Sequence, residues 1–202
     1  MTAQRFDNVT GVILAGGRSQ RMGGEDKGLI PLGGKAMVEY VIASLRPQVF
    51  AVMINANRNL EEYRKFDVPV VTDTLDGYLG PLAGMASAMQ MVETELLVTA
   101  PCDSPFCPDV LVQRLMERLV ADHAEIAVAH SGERMQPVFT LLHAELMHSL
   151  LGFLSAGERK IDKWFQSHKV AVADFSDLPD TFLNINTPEE RTEVECRLRR
   201  VL

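Results

Sequence analysis

Residues 9–28 read VTGVILAGGRSQRMGGEDKG. The opening run Val9–Leu14 is short and apolar, which predicts a buried strand, and it feeds directly into Ala15-Gly16-Gly17. Glycine lets backbone N–H groups approach an anion closely, and this loop also gathers Arg18, Arg21 and Lys27. Arginine supplies a planar fork and lysine a compact charge, so the composition is that of a phosphate-binding loop. It is not a standard P-loop, because no glycine is followed at that motif's spacing by Gly-Lys and then Ser or Thr. Nor is it a G-x-G-x-x-G fingerprint, being too long and too charged. A solvated surface loop is the competing reading. Placement straight after the first strand of an α/β pattern, in an otherwise acidic chain, favours phosphate.

Working outward, strand and helix patterns alternate. Met37, Val38, Val41, Ile42 and Leu45 recur at helical spacing, and Pro47 closes that segment. Phe50–Ile54 is the next apolar run and ends on Asn55-Ala56-Asn57. Leu60–Phe66 reads as a short helix and Val68–Val71 as a strand ending at Thr72-Asp73-Thr74. Gly80-Pro81 opens a helix with an apolar stripe of Leu82, Met85, Ala86, Met89 and Val92, proline being suited to a first turn. Leu96–Ala100 is a fourth buried strand, ending in Pro101-Cys102-Asp103-Ser104, and a helix follows over Asp109–Val120. Beyond it the regularity loosens. Ile126–Ala129 and Val138–Leu142 read as strands around a Gly132-Glu133-Arg134 turn, Ala144–Ser155 as a helix and Val170–Phe175 as a strand. Pro188–Arg200 reads as a closing helix capped by Thr187.

This alternation predicts the α/β class: a three-layer α/β/α, Rossmann-like domain with a mostly parallel central sheet. Such sheets bind ligands beyond the carboxyl ends of their strands. Those ends carry Ala15-Gly16-Gly17, Asn55-Ala56-Asn57, Asp73 and Cys102-Asp103-Ser104. At 202 residues one domain is expected, and 47% hydrophobic against 23% charged residues excludes a disordered chain. A formal net charge of -7 disfavours a broad nucleic-acid-binding surface but leaves room for a local anion site. Three cysteines, Cys102, Cys107 and Cys196, are too few and too oddly spaced for a disulfide framework or a zinc site. With no apolar run of signal-peptide or membrane-span length, the expectation is a cytoplasmic protein without membrane or nucleic-acid partners.

The run LAGGRSQRMGGEDKG resembles the signature of the molybdenum cofactor nucleotidyltransferases, one residue longer than its shortest form. Further stretches match in order: Val52–Asn57 (VMINAN), Gly80-Pro81-Leu82-Ala83-Gly84, Pro101-Cys102-Asp103-Ser104-Pro105, Gly157-Glu158-Arg159 and Asn184-Ile185-Asn186-Thr187-Pro188-Glu189-Glu190. The resemblance covers nearly the whole chain and implies a nucleotide-diphospho-sugar transferase-like fold. Residues 9–120 would be the nucleotide-binding part and 121–202 the molybdopterin-binding part of a single domain. The implied reaction is Mg2+-dependent transfer of GMP from GTP to molybdopterin, with pyrophosphate released. Cytidylyl transfer to the same pterin, sugar-phosphate nucleotidyl transfer and a noncatalytic nucleotide carrier are the alternatives. Transient contact with cofactor-synthesis proteins and molybdoenzymes would also follow.

Residue by residue, the resemblance makes Asp103 the metal ligand, a role suited to a hard carboxylate oxygen, although from spacing alone it reads equally well as a helix cap. Arg21 and Lys27 would grip the triphosphate and act with Asp103 in catalysis, Arg18 being peripheral. Nucleotide recognition would fall to Leu14, Ala15, Gly16 and Gly17, to Asn55 and Asp73, and to the Gly80-Pro81-Leu82 turn. Asn55 reads alternatively as a strand-ending turn residue and Asp73 as a turn cap. Arg159, Lys160, Asn184 and Asn186 are candidate pterin contacts, against a solvated charge cluster and a turn. His143 and His148 stand five apart, not the four of a helical zinc pair, and neither Cys102 nor Cys107 is given a catalytic role.

Overall fold

The computed structural model describes residues 3–16, 26–75, 80–178, 180–185 and 187–201. The expected Gly17, Arg18, Arg21 and Asn186 lie outside the described residues.

The chain opens on β1 (Phe6–Leu14), three residues earlier than the apolar run, because main-chain pairing does not require apolar side chains: Phe6 N–H donates to the Gln48 carbonyl. A small antiparallel hairpin follows, β2 (Pro31–Leu32) with β3 (Lys35–Ala36), which the sequence reading did not distinguish from loop. Then α1 (Met37–Leu45), β4 (Val49–Asn55), α2 (Leu60–Arg64), β5 (Val70–Val71), α3 (Pro81–Met89), β6 (Leu96–Pro101) and α4 (Leu111–Ala121) alternate as expected. The C-terminal part adds β7 (Ile126–His130), β8 (Met135–His143), α5 (Met147–Ser155), α6 (Ile161–Phe165), β9 (Val170–Asp174) and α7 (Pro188–Val201). At the start of α7 the Thr187 hydroxyl accepts from Glu190 N–H while Glu190 Oε2 accepts from Thr187 N–H, a reciprocal capping box.

The described strands form a seven-stranded sheet in the order β5-β4-β1-β6-β8-β7-β9, plus the small hairpin. Only β8 runs antiparallel, inserted between β6 and β7. Alternation along the strands divides the core into two layers. Val9 and Ile13 of β1, with Leu96, Val98 and Ala100 of β6, face α1 and α4. Val12, Leu14 and Leu97 face α3, α5 and α6. This is the expected three-layer arrangement, continuous through the β6–β8 pairing. The apolar stripe expected on α3 is a correction: the helix stops at Met89, short of Val92, and every residue from Leu82 to Met89 is buried. Ala83, Gly84, Ala86, Ser87 and Ala88 are small enough for it to sit flush on its neighbours.

At the far edge of the sheet, away from the strand carboxyl ends, a polar strap joins α5, α6 and the entry to β7. Trp164 Nε1–H donates to Ser149 Oγ (3.2 Å), which bonds His168 Nε2 (2.8 Å); His168 Nδ1 lies 3.3 Å from Glu125 Oε1. Lys169 N–H donates to the second Glu125 oxygen at 2.8 Å. That N–H, more than His168, holds the Glu125 carboxyl below its ordinary value, against a smaller opposing effect of burial. A carboxyl depressed in the folded state stabilises above its unfolded value and loses that contribution as pH falls through the folded one. Glu125→Gln is therefore expected to melt below the parent at pH 7, with the gap closing below about pH 4. Thermal melts from pH 7 to 3 check it; a gap that widens in acid refutes the assignment.

Candidate active site

The parallel register aligns the strand ends. Asn55 of β4 sits opposite Val71 of β5 and Leu14 of β1, and Leu14 sits opposite Pro101 of β6. One residue further on, Cys102 N–H donates to the Leu14 carbonyl and Ala15 N–H to the Asn55 carbonyl. The segments that follow therefore emerge side by side: Asp73, Asn55, Gly16 and Asp103 occupy consecutive places along one edge. β1 is where the chain turns from building leftward to building rightward, the crevice where open α/β sheets take ligands.

Two polar clusters stand on this edge. In the first, Asn55 Nδ2 donates to Asp73 Oδ1 (2.9 Å) and Asn57 Nδ2 to Asp73 Oδ2 (2.8 Å), while Asn57 Oδ1 accepts from Asp73 N–H (2.8 Å). The Asp73 carboxylate is thus held by two amides, and Asn57, absent from the sequence-derived site, completes the cluster. Its visible signal was the second asparagine of VMINAN. Asn55 is packed beneath α3: a Cβ on Gly84 would stand 2.3 Å from Asn55 Oδ1 and 2.9 Å from Leu14 Cδ2. Gly80, at φ +77, begins α3 ahead of Pro81, so the Gly80-Pro81-Leu82 turn directs the helix onto Asn55. Gly84→Ala gains up to about 1 kcal/mol in helix propensity but overpacks at a cost of about 1–3 kcal/mol. Relief comes by displacing the Asn55 amide, so if Asn55 has the nucleotide role that the resemblance implies, GTP affinity is expected to fall about tenfold with modest loss of stability. Calorimetric titration beside a thermal melt checks this; full affinity would detach Asn55 from recognition.

In the second cluster, Lys27 Nζ donates to Asp103 Oδ2 at 2.9 Å, with both side chains mostly buried. Lys27 starts a 3-10 turn, Lys27–Leu29, and Asp103 follows β6. Asp26, just before the lysine, is buried: Oδ1 accepts from the Tyr63 hydroxyl (2.5 Å), and Oδ2 accepts from Asn59 Nδ2 (3.1 Å) and lies 3.4 Å from Arg58 Nε. Burial first, then Cys102 and Asp26, push the Tyr63 phenol far above its usual range, so it remains a protonated donor. Burial, reinforced by Asp103 and Asp26, likewise keeps the Cys102 thiol neutral, against the opposing pull of Lys27. A buried neutral thiol is a wall, not a nucleophile.

The C-terminal candidates separate. Ser104 Oγ donates to Asn184 Oδ1 (2.5 Å) and Ile185 N–H to the Asp103 carbonyl (3.2 Å), which straps residues 184–185 beside the Lys27–Asp103 pair. Arg159 instead donates to the Leu154 carbonyl (2.7 Å) and the Glu158 carbonyl (2.5 Å), closing the C-terminal end of α5. Lys160 is the residue from which α6 starts, and both cations are exposed. Among the described residues no three His, Cys, Asp or Glu side chains gather as a metal cage. Asp103 alone suits Mg2+, which commonly takes one or two carboxylates and completes its shell with phosphate oxygens and water.

The sequence family described as the MobA-like NTP transferase domain matches residues 11–172. The chain belongs to this family. A MobA-like relative from Shewanella halifaxensis, a molybdenum cofactor guanylyltransferase, is 50% identical over 194 residues, covering 96% of this chain and 95% of its own. A second of that name, from Shewanella sediminis, is 48% identical over 186 residues, 92% of this chain and 95% of its own. Among solved structures, molybdopterin-guanine dinucleotide biosynthesis protein A from Archaeoglobus fulgidus superposes with a TM-score of 0.79 at 21% identity, covering 95% of this chain and 99% of that one. CMP:2-keto-3-deoxy-manno-octonic acid synthetase in complex with CTP gives 0.76 at 13% identity, over 96% and 98%. These two likenesses establish that the MobA-like fold is shared with nucleotidyltransferases.

Proposed function

We propose that this MobA-like protein transfers GMP from GTP to the terminal phosphate of molybdopterin, forming molybdopterin guanine dinucleotide and pyrophosphate. The observation that carries the reading is the Lys27–Asp103 pair, set at the strand edge next to Gly16 and on the same edge as the Asn55–Asp73 cluster. An anionic nucleophile must meet an anionic triphosphate, so the protein has to supply position and positive charge and needs no covalent nucleophile. Lys27 neutralises charge on the departing pyrophosphate, with Arg21 as its expected companion. Asp103 would hold Mg2+, which when bound draws the phosphate oxygens together and screens their charge. Leu14, Ala15, Gly16, Gly17, Asn55, Asp73 and the Gly80-Pro81-Leu82 turn hold the nucleotide. Asn184, strapped beside Asp103 through Ser104, receives the pterin substrate within the 121–202 part, with Asn186, Arg159 and Lys160 as its expected companions.

The relatives' names favour guanine; the shared fold alone would admit a cytidylyl donor. A thermal-shift comparison of GTP, CTP, ATP and UTP at equal Mg2+ separates them, GTP being expected to raise Tm most. Pyrophosphate release from molybdopterin and Mg-GTP then tests transfer; GTP binding without release would leave a nucleotide-carrying module. No helix among the described residues is long and apolar enough to cross a membrane.

A further inference from the structure

We propose that Tyr63 is a positioning residue for Lys27: its hydroxyl, acting through the Asp26 carboxylate, fixes where the lysine ammonium stands against Asp103 and a bound triphosphate. This rests on the GTP-dependent reading above for its consequence, but the geometry stands on its own.

Tyr63 is wholly buried on α2, an element outside the strand edge itself. Its hydroxyl packs against the segment that carries Lys27, at Gly28, where that segment lies between Tyr63 and Cys102. On one side it donates to Asp26, the residue preceding Lys27, and lies so close to the next residue that a Cβ on Gly28 would stand 2.5 Å from it. On the other side, the same added Cβ would stand 3.2 Å from Cys102 Cβ, next to Asp103. The turn itself is locked, Leu29 N–H donating to the Asp26 carbonyl and Ile30 N–H to the Lys27 carbonyl. With Asp26 anchored and the turn rigid, the Lys27 backbone has one place to be. Stability alone does not explain the arrangement. A buried carboxylate ringed by a phenol, an amide and a guanidinium is commonly no more stabilising than apolar side chains of equal volume. What the ring does supply is a fixed direction for the segment that carries the lysine, and displacements near 1 Å are enough to cost about a hundredfold in rate.

Two measurements on the full chain test this. Acetylation by a water-soluble N-hydroxysuccinimide ester, followed by mass spectrometry, reads the Lys27 amine without any ligand, with exposed Lys35 as internal reference. In Tyr63→Phe the Lys27 rate is expected to rise about three- to tenfold while Lys35 stays unchanged. Calorimetric titration with Mg-GTP then closes a double-mutant cycle. Tyr63→Phe should weaken Kd about tenfold in the parent and less than about twofold in Lys27→Met, because a residue that acts through the lysine has nothing to act on without it. Asn59→Gly removes the neighbouring amide donor to Asp26 at a position of φ 51, which glycine adopts freely, and serves in the same way if Tyr63→Phe fails to fold. Unchanged Lys27 labelling in whichever variant folds, or an equal Kd loss in the absence of Lys27, overturns the proposal. Faster Lys27 labelling in Tyr63→Phe, together with a parent chain that binds no GTP, would remove the nucleotide reading and leave the positioning role standing.

Discussion

Asp103→Asn is expected to lower kcat at saturating GTP by about a thousandfold while the fold survives. The substitution keeps the side chain's volume, and an amide oxygen can still accept from Lys27. The main-chain carbonyl of residue 103, which receives Ile185 N–H, is untouched. What disappears is the negative charge of the carboxylate, and with it the hold on Mg2+ proposed for Asp103. Loss confined to the transition state would leave the thermal midpoint within a few degrees of the parent, on the scale of about 1 kcal/mol. Two readouts are needed: initial rates across a Mg2+ titration, where the requirement should shift to higher concentration, and a thermal melt of the apoprotein. Near-parental turnover at millimolar Mg2+ would return Asp103 to the helix-cap reading that spacing alone allowed.

Lys27→Met comes second, with kcat/KM for GTP expected to fall about a hundredfold. Methionine matches the stem of the lysine and removes only the ammonium, so packing changes little. In the proposed role the ammonium contacts groups that gain negative charge as pyrophosphate leaves, so both affinity and rate should drop, the rate more. Lys27→Arg should not restore activity. The guanidinium is planar and longer, and Lys27 Nζ sits in bonding distance of Asp103 on a turn that leaves no freedom to withdraw. A purely binding role would appear as raised KM with kcat unchanged, and steady-state rates over a GTP titration distinguish the two.

The strand ends are legible because apolar runs terminate in glycine, asparagine and aspartate, residues that a buried parallel strand does not itself require. Asn55, Asp73 and Asp103 follow from that pattern and Lys27 from the charged glycine loop, and the structure brings them to the same edge. Charge composition could not reveal that Lys27 is paired with a carboxylate 76 residues away, since pairing across the sheet has no local signal. Asp26 escaped for a related reason. In sequence it is one more charge in a charged loop, and only the arrival of Tyr63 from α2 makes it a buried anchor. At Arg159 the run of cations suggests an anion, and what no local pattern shows is that the same guanidinium also donates to the carbonyls that end α5. α6 was obscured because five residues give too few turns to show a period.

The strap between Ser104 and Asn184 has a kinetic meaning as well as a geometric one. It joins residues 80 apart, and the Lys27–Asp103 pair joins residues 76 apart, so neither can form while only the first few elements exist. Contacts of such long sequence separation are reached late and slowly, after the intervening chain has paid its loop-closure entropy. As the polypeptide emerges during synthesis, the strand edge is assembled once β6 settles beside β1, whereas the strap to Asn184 forms only after residue 184 has followed. On the pterin role proposed for Asn184, competence for the second substrate therefore arises later in synthesis than the strand edge itself.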